Sequence, residues 1–382
     1  MDVVARAKAF QESVRPRSRE IEEARRFPAD LARTMAEAGL FRMAVPRSLG
    51  GLEVEAATLL RAIELIGEAD GSAGWCLMIG VTSTVIAAYL PREVAREVFA
   101  EPTTIVGGAF APLGRAVREG DHYRLSGRWP WASGSINCQW LMGGSAILED
   151  GKPRLLPNGM LDSRLLVFPT AQATLIDSWF AAGLCGTGSG DMEVRELRVP
   201  VTRSVSLVTD RPVEGGPLYV FPVFGLLALG IGAVALGIAR AAITDLVALA
   251  GGKKPQGSTR TLAERATAQT ALAEAEARLR AARAFFYEAV GEAWARATGA
   301  GDISLEERAA LRLAATHATR VAADVARTVY DLGGGSSVHL SSPLQRRFRD
   351  AHVATQHVLV SPATLELAGR VLMGLPTDAT ML

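Results

Sequence analysis

The chain is poor in cysteine, histidine and aromatic residues, and neither sign of charge is in excess. Three cysteines, Cys76, Cys138 and Cys185, lie far apart in 382 residues. An odd number at such spacing builds neither a disulfide framework nor a zinc site, so no metal is expected and a reducing, cytoplasmic setting is. Lys and Arg total 41 against 40 Asp and Glu, for a formal net charge of +1. That balance argues against nucleic acid or an anionic membrane surface as a partner. The first residues meet charge at Arg6, Lys8 and Glu12, so no secretory signal is read there. Hydrophobic residues make up 49% of the chain, too many for a disordered one.

From Pro217 to Ala239 no charged residue occurs, a run long enough to span a bilayer. Gly225, Gly230, Gly232 and Gly237 alternate there with alanines and suit close helix packing. No strong basic anchor flanks the run, and a buried core helix is the expectation.

Three textures follow one another along the chain. Residues 1–100 carry apolar positions at helical period, as in Leu59-Leu60-Ile63-Ile66. Asp30 and Ser72 are expected helix starts. Residues 101–212 are richer in glycine, proline and β-branched or aromatic residues and form the expected β domain. Its strands are read at 123–129, 164–168 and 192–200, with turns at Gly120-Asp121 and Glu149 to Lys152. From 213 to 382 the helical period returns in long Ala, Glu and Arg-rich runs. Ser304 and Glu307 are spaced as a capping box, and a last long helix is expected from Leu344 to Val360. The order predicts a mainly α protein with a central β domain and a C-terminal helical bundle.

The chemistry is sparse. His352 and His357 are five residues apart, about 140° around a continuous helix, which is wrong for a metal pair. Taken from spacing alone, each reads as an ordinary helix residue. Trp129-Pro-Trp131-Ala132-Ser133-Gly134 reads as an aromatic strand ending in a hydroxyl, suited to a planar cofactor or to a β core with a turn. Gly107-Gly108 and Gly183 to Gly190, with Thr187 and Ser189, read as small-residue loops. Neither carries a Walker or Rossmann fingerprint. Cys185 reads as a packed or loop thiol.

Taken together, several of these pieces resemble the acyl-CoA dehydrogenase superfamily over essentially the whole chain. Trp131-Ala-Ser133-Gly stands where that family has Trp-Ile-Thr-Asn. Leu184 to Ser189 stands in its second flavin loop. Tyr330 to Ser336 matches its glycine-rich turn, and Arg349-Asp350 its late Arg-Asp. The resemblance implies an N-terminal helical domain, a β-barrel-like middle domain and a C-terminal four-helix bundle, assembled as a homotetramer around bound flavin. It also places Trp131, Ala132, Ser133, Thr187, Ser189, Gly334 and Gly335 at the cofactor.

The departures point to a branch. A dehydrogenase of this family takes an α-proton with a glutamate, in most members just after the Arg-Asp. Here that region reads Gln356-His357-Val358-Leu359, and the alternative position falls on the charge-free helix. The run Arg349-Asp-Ala-His352-Val-Ala-Thr-Gln-His357, followed by Gly369 to Gly374, is similar to the two-component flavin monooxygenases. Membership there implies an oxygenase component that receives FADH2 or FMNH2 from a separate reductase. It reacts the reduced flavin with O2 and hydroxylates an aromatic or heteroaromatic small molecule through a C4a-hydroperoxyflavin. His357 then deprotonates the substrate or stabilises the peroxyflavin, and Ser133 reaches flavin N5. His352 falls where that branch alternates between His and Arg, and Trp75 faces either the substrate cavity or the core. Lys253, Lys254 and Arg260 are candidate phosphate contacts or solvated loop charges. Gly190, where relatives carry a larger residue, leaves room or removes a contact. The competing expectations are an acyl-CoA dehydrogenase with a displaced base and a catalytically degenerate flavin-fold binding subunit.

Overall fold

The computed structural model describes residues 2–299, 301–380 and 382. Helices fill the chain from Val3 to Val98, strands from Val106 to Val205, and helices again from Pro217 to Leu372.

The middle segment holds β1 (Val106–Glu119), β2 (His122–Trp129), β3 (Trp140–Glu149), β4 (Lys152–Pro153), β5 (Ser163–Pro169), β6 (Thr174–Ile176), β7 (Asp191–Pro200) and β8 (Ser204–Val205). They form one sheet in the order β6-β7-β2-β1-β3-β5-β8, with β4 paired to β3. All pairs are antiparallel except β1 with β3, whose register slips between Ala109 and Gly114. Gly107 and Gly108, expected in a loop, lie inside β1. A Cβ on Gly108 would stand 2.0 Å from the Met142 carbonyl oxygen, so the neighbouring strand requires the glycine. The glycines of this segment also explain Trp129. Added Cβ atoms on Gly114, Gly127 and Gly143 would each fall 2.3–2.6 Å from its ring. The indole fills the slot they leave, fully buried, and donates to the Gly144 carbonyl at 2.7 Å.

The charge-free run ends before Arg240, but its helix runs on, as Val223–Ala250. It packs between the Ala56–Ala69 and Leu305–Gly333 helices. Both it and Gly71–Ala88 are long and apolar enough to cross a membrane, yet 94% of each window is buried within the protein. Glycine lets the backbones close up. A Cβ on Gly237 would lie 2.2 Å from the Glu64 carbonyl, and one on Gly67 3.0 Å from that of Val234. Beyond the run the helix carries Asp245, a carboxylate absent from the charge-free stretch, which pairs with Arg347 at 3.3 Å.

Helix starts follow their caps. Ser304 Oγ accepts from Glu307 N–H, and Glu307 accepts from Ser304 N–H, completing the expected capping box. The helix expected to start at Ser72 is instead Gly71–Ser83, capped by Asp70, whose carboxylate accepts from Ala73 N–H at 3.0 Å. The helix expected to start at Asp30 begins one residue earlier, as Ala29–Glu37, with Asp30 in its first turn.

The largest departure falls at the late motif. The helix expected from Leu344 to Val360 stops as Pro343–Ala354, and a separate 3₁₀ turn follows at Val358–Val360. His357 sits in the break with an extended backbone, φ −70° and ψ 134°. The helical angle between His352 and His357 therefore has no meaning in the folded protein.

Candidate active site

The two glycine-bearing loops of the middle segment meet edge to edge. Ala132 N–H donates to the Gly190 carbonyl at 3.0 Å, and Gly134 N–H to that of Thr187 at 2.8 Å. This pairing brings three side-chain hydroxyls together out of water. Ser133 Oγ lies 2.6 Å from Ser189 Oγ, and Ser189 Oγ lies 2.6 Å from Thr187 Oγ1. All three residues are buried. Thr187 Oγ1 donates to the Leu184 carbonyl at 2.8 Å.

The start of the Gly71–Ser83 helix reaches this chain. Trp75, itself buried, donates its indole N–H to Ser133 Oγ at 3.2 Å. The other side of Trp75 meets His357, with ring centroids 5.9 Å apart and planes at 60°. Residues scattered from 75 to 357 thus form one continuous group of indole, hydroxyls and imidazole.

His357 has a defined tautomer. Its Nδ1 accepts the backbone N–H of Leu359 at 3.2 Å, so the ring hydrogen belongs on Nε2. Burial lowers its pKa to about 4, with the nearby Arg312 guanidinium adding to the effect. The ring is neutral at physiological pH and presents Nε2–H as a donor.

Behind the second loop stands Asp350. Its Oδ1 accepts from Leu184 N–H at 2.6 Å. Burial first, and the Asp70 carboxylate second, push its pKa up to about 7. Gly183 is close-packed here, since a Cβ would lie 2.5 Å from the Arg349 backbone. Arg349 itself donates to the Ala182 carbonyl and pairs with Glu22. The loop is therefore held against the Pro343–Ala354 helix at consecutive residues.

Acids are engaged elsewhere. Glu64 accepts from Arg283 and from Tyr287 Oη, and Asp70 caps a helix. Among the described residues no hydrogen bond or ion pair joins a carboxylate to Ser133, Trp75 or His357.

The other expected residues fall at varied distances from this group. Trp131 adopts a left-handed φ of 62°, and its ring is 66% exposed beside the hydroxyl chain. Ala132 is buried, with its N–H committed to Gly190. Gly190 provides no open space, because a Cβ there would stand 2.3 Å from the Ile176 carbonyl. His352 turns to a different set of partners. Its Nδ1 contacts the Phe348 carbonyl at 2.7 Å, and its ring packs on Phe348, which stacks on Tyr330. Gly334 and Gly335 form a turn at the end of the Leu305–Gly333 helix. Lys253 donates there to the Gly333 carbonyl and to Ser336 Oγ, so its ammonium staples the turn. Cys185 donates to the Ala181 carbonyl, and burial pushes its thiol up, away from the reactive thiolate.

Two members of the site were not singled out from sequence. Asp350 is half of a sequence motif, but its burial and its bond to Leu184 depend on a contact 166 residues away. Arg312, buried and donating to the Leu359 carbonyl at 3.2 Å, belongs to no motif in the sequence. Only its spacing among buried alanines at 309, 315 and 318 hinted at the inner face.

The chain matches the acyl-CoA dehydrogenase N-terminal domain over residues 3–98 and the acyl-CoA dehydrogenase C-terminal domain over 229–362. It is 35% identical to an indole-3-acetate monooxygenase of Pseudomonas putida, over 96% of this chain and 92% of that protein. It is 28% identical to the oxygenase component of an FADH2-dependent resorcinol hydroxylase of Rhizobium sp. (strain MTP-10005), over 98% and 94% of the two chains. The crystal structure of 3-HSA hydroxylase from Rhodococcus sp. RHA1 superposes with a TM-score of 0.92 at 25% identity, covering 100% of this chain and 99% of that one. With both characteristic domains present and a monooxygenase relative aligned along nearly its full length, the chain belongs to the acyl-CoA dehydrogenase superfamily, in its branch of flavin-dependent monooxygenases.

Proposed function

We propose that this protein is the oxygenase component of a two-component system, which takes reduced flavin from a separate reductase and hydroxylates a small aromatic or heteroaromatic molecule. The observation that carries the reading is the Trp75–Ser133–His357 group, which offers hydrogen-bonding groups to a ligand and no carboxylate. Desaturation of a thioester needs a strong fixed base; oxygen transfer needs a dry pocket with oriented donors.

The residues present fit a flavin. Trp131 holds a flat ring outward on a strained backbone, next to a buried hydroxyl chain that begins at Ser133. Trp131 and Ser133 would hold the ring system, with Ser133 Oγ at N5, and Thr187 and Ser189 would support Ser133 from behind. When bound, reduced flavin supplies the two electrons with which O2 is split between product and water. The remaining work falls to the chain. Buried Trp75, with the Val223–Ala250 helix packed against its own helix, would keep water from the site. His357 donates from Nε2 toward the substrate oxygen or nitrogen, or toward the oxygen to be transferred. With Nδ1 occupied and Nε2 already protonated, the imidazole is a poor base, and the donor role is the one this geometry favours. Asp350 acts through Leu184 by holding the second loop.

Three further expectations extend this reading. We take the chain as three domains, 1–100, 101–212 and 213–382. A homotetramer would cover apolar side chains that are exposed here, among them Phe180, Leu340, Leu372 and Met373. A cytoplasmic location suits the separated, unpaired thiols.

The test is direct. Purified protein is given flavin, a generic NADH-dependent flavin reductase and a panel containing indole-3-acetate, phenols and indole, and products are followed by mass spectrometry. A product one oxygen atom heavier supports the proposal. Oxidation of acyl-CoA thioesters with a dye acceptor, and no oxygenated product, overturns it.

A further inference from the structure

The hydroxyl chain between Trp75 and Leu184 can be oriented from its ends. Thr187 Oγ1 stands 2.8 Å from the Leu184 carbonyl oxygen. Two oxygens that close need a hydrogen between them, and a carbonyl has none, so Thr187 is the donor. Its single hydrogen spent, Thr187 accepts from Ser189 at 2.6 Å. Ser189 then accepts from Ser133, also at 2.6 Å. At the other end the Trp75 indole N–H can only donate, and it donates to Ser133. Every hydrogen in the chain points away from Trp75 and toward Leu184.

The far end is firmly anchored. The Leu184 carbonyl also accepts the Thr187 backbone N–H and the Trp179 indole N–H, both at 3.1 Å. Its own N–H is held by Asp350. Reversing the chain would leave the Thr187 hydroxyl oxygen facing that carbonyl with no hydrogen between, buried and uncompensated.

The consequence falls on Ser133. Its hydrogen is committed to Ser189 and one lone pair to Trp75, which leaves one lone pair for a ligand. Reduced flavin carries a hydrogen on N5, whereas oxidised flavin carries a lone pair there. We propose that Ser189 and Thr187 are positioning residues that lock the Ser133 hydroxyl as an acceptor, so that the site discriminates reduced from oxidised flavin by the direction of one hydrogen bond. This rests on the placement of Ser133 at N5 given above. A reduced ring completes the chain; an oxidised ring meets lone pair with lone pair and is favoured to leave.

The readout is the ratio of dissociation constants for oxidised and reduced flavin, measured with FMN and FAD in air and under argon. The proteins are wild type, Ser189→Ala, Thr187→Val, Thr187→Ser and Ser133→Ala. Ser189→Ala frees the Ser133 hydrogen to turn toward N5, and the ratio should fall about tenfold, the change that ~1.4 kcal/mol makes. Thr187→Val should shift it the same way, and Thr187→Ser, which keeps the hydroxyl, should restore it. Damage to the loop alone would weaken both redox forms equally and leave the ratio unmoved, which counts against the proposal. A shifted ratio in Ser133→Ala with an unshifted one in both Ser189→Ala and Thr187→Val overturns the locking role and leaves Ser133 at N5. Wild-type affinities in Ser133→Ala overturn the placement itself.

Discussion

Asp350 Oδ1 accepts the backbone N–H of Leu184 at 2.6 Å, tying the late Arg-Asp motif to the loop that carries Thr187 and Ser189. Arg349 binds the carbonyl two residues earlier, at Ala182. The pair grips successive peptides of one loop, so the motif's place in the protein is structural support for the hydroxyl chain.

Asp350→Asn keeps an oxygen for Leu184 and removes the charge. The native carboxyl has a pKa near 7, above its ordinary value, so the fold favours its protonated form. Stability from this group is fully present below about pH 4 and is lost as pH rises through 7. Thermal unfolding of wild type and Asn variant at pH 5 and pH 8 should show a smaller loss for the variant on going to pH 8. The difference is bounded by roughly 3 kcal/mol, the two pH units between 5 and the folded pKa at 1.36 kcal/mol each.

His357→Ala should lower hydroxylation by about 100- to 10,000-fold, the usual range for a lost catalytic proton donor, while flavin binding is largely kept. The His357 pKa is near 4, below its ordinary value, so the ring stays neutral from pH 6 to 8 and contributes no titration to turnover there. Its stability contribution is present above about pH 6.5 and lost as pH falls through 4. Steady-state rates across pH, with unfolding at pH 7 and pH 4.5, check both statements. Unchanged turnover in the Ala variant would remove His357 from the reaction.

Ser133→Ala removes the acceptor proposed for flavin N5 and leaves the Trp75 indole N–H and the Ser189 oxygen without their partner. More of the reducing equivalents should emerge as hydrogen peroxide. The quotient of peroxide to product, from a peroxidase-coupled assay, should rise several-fold; equality with wild type would count against the contact.

Gly114→Ala places a Cβ about 2.3 Å from the Trp129 ring and from Ser145 Oγ. Overpacking of this kind costs about 1–3 kcal/mol. Gly251→Ala, where a Cβ meets nothing, should leave stability unchanged or slightly raised. Denaturant midpoints of the two variants separate the cases, and equal midpoints would argue against the three-glycine slot.

Local signals in the chain were enough for much of this protein. Helical period, the Ser304/Glu307 box and the long uncharged run define the elements, because each depends on residues within a turn or two of one another. The Trp131-Ala-Ser133-Gly and Leu184 to Ser189 motifs mark the two loops of the site. Folding alone decided the rest. The helix break before His357 gives that ring its tautomer, and no period announces it. The slot for Trp129 needs glycines from three strands, and the bond between Asp350 and Leu184 joins positions far apart in the chain. A hydroxyl's direction is set by whichever donor or acceptor packing places at its ends, so the orientation of Ser133 exists only once Trp75, Ser189, Thr187 and Leu184 are side by side.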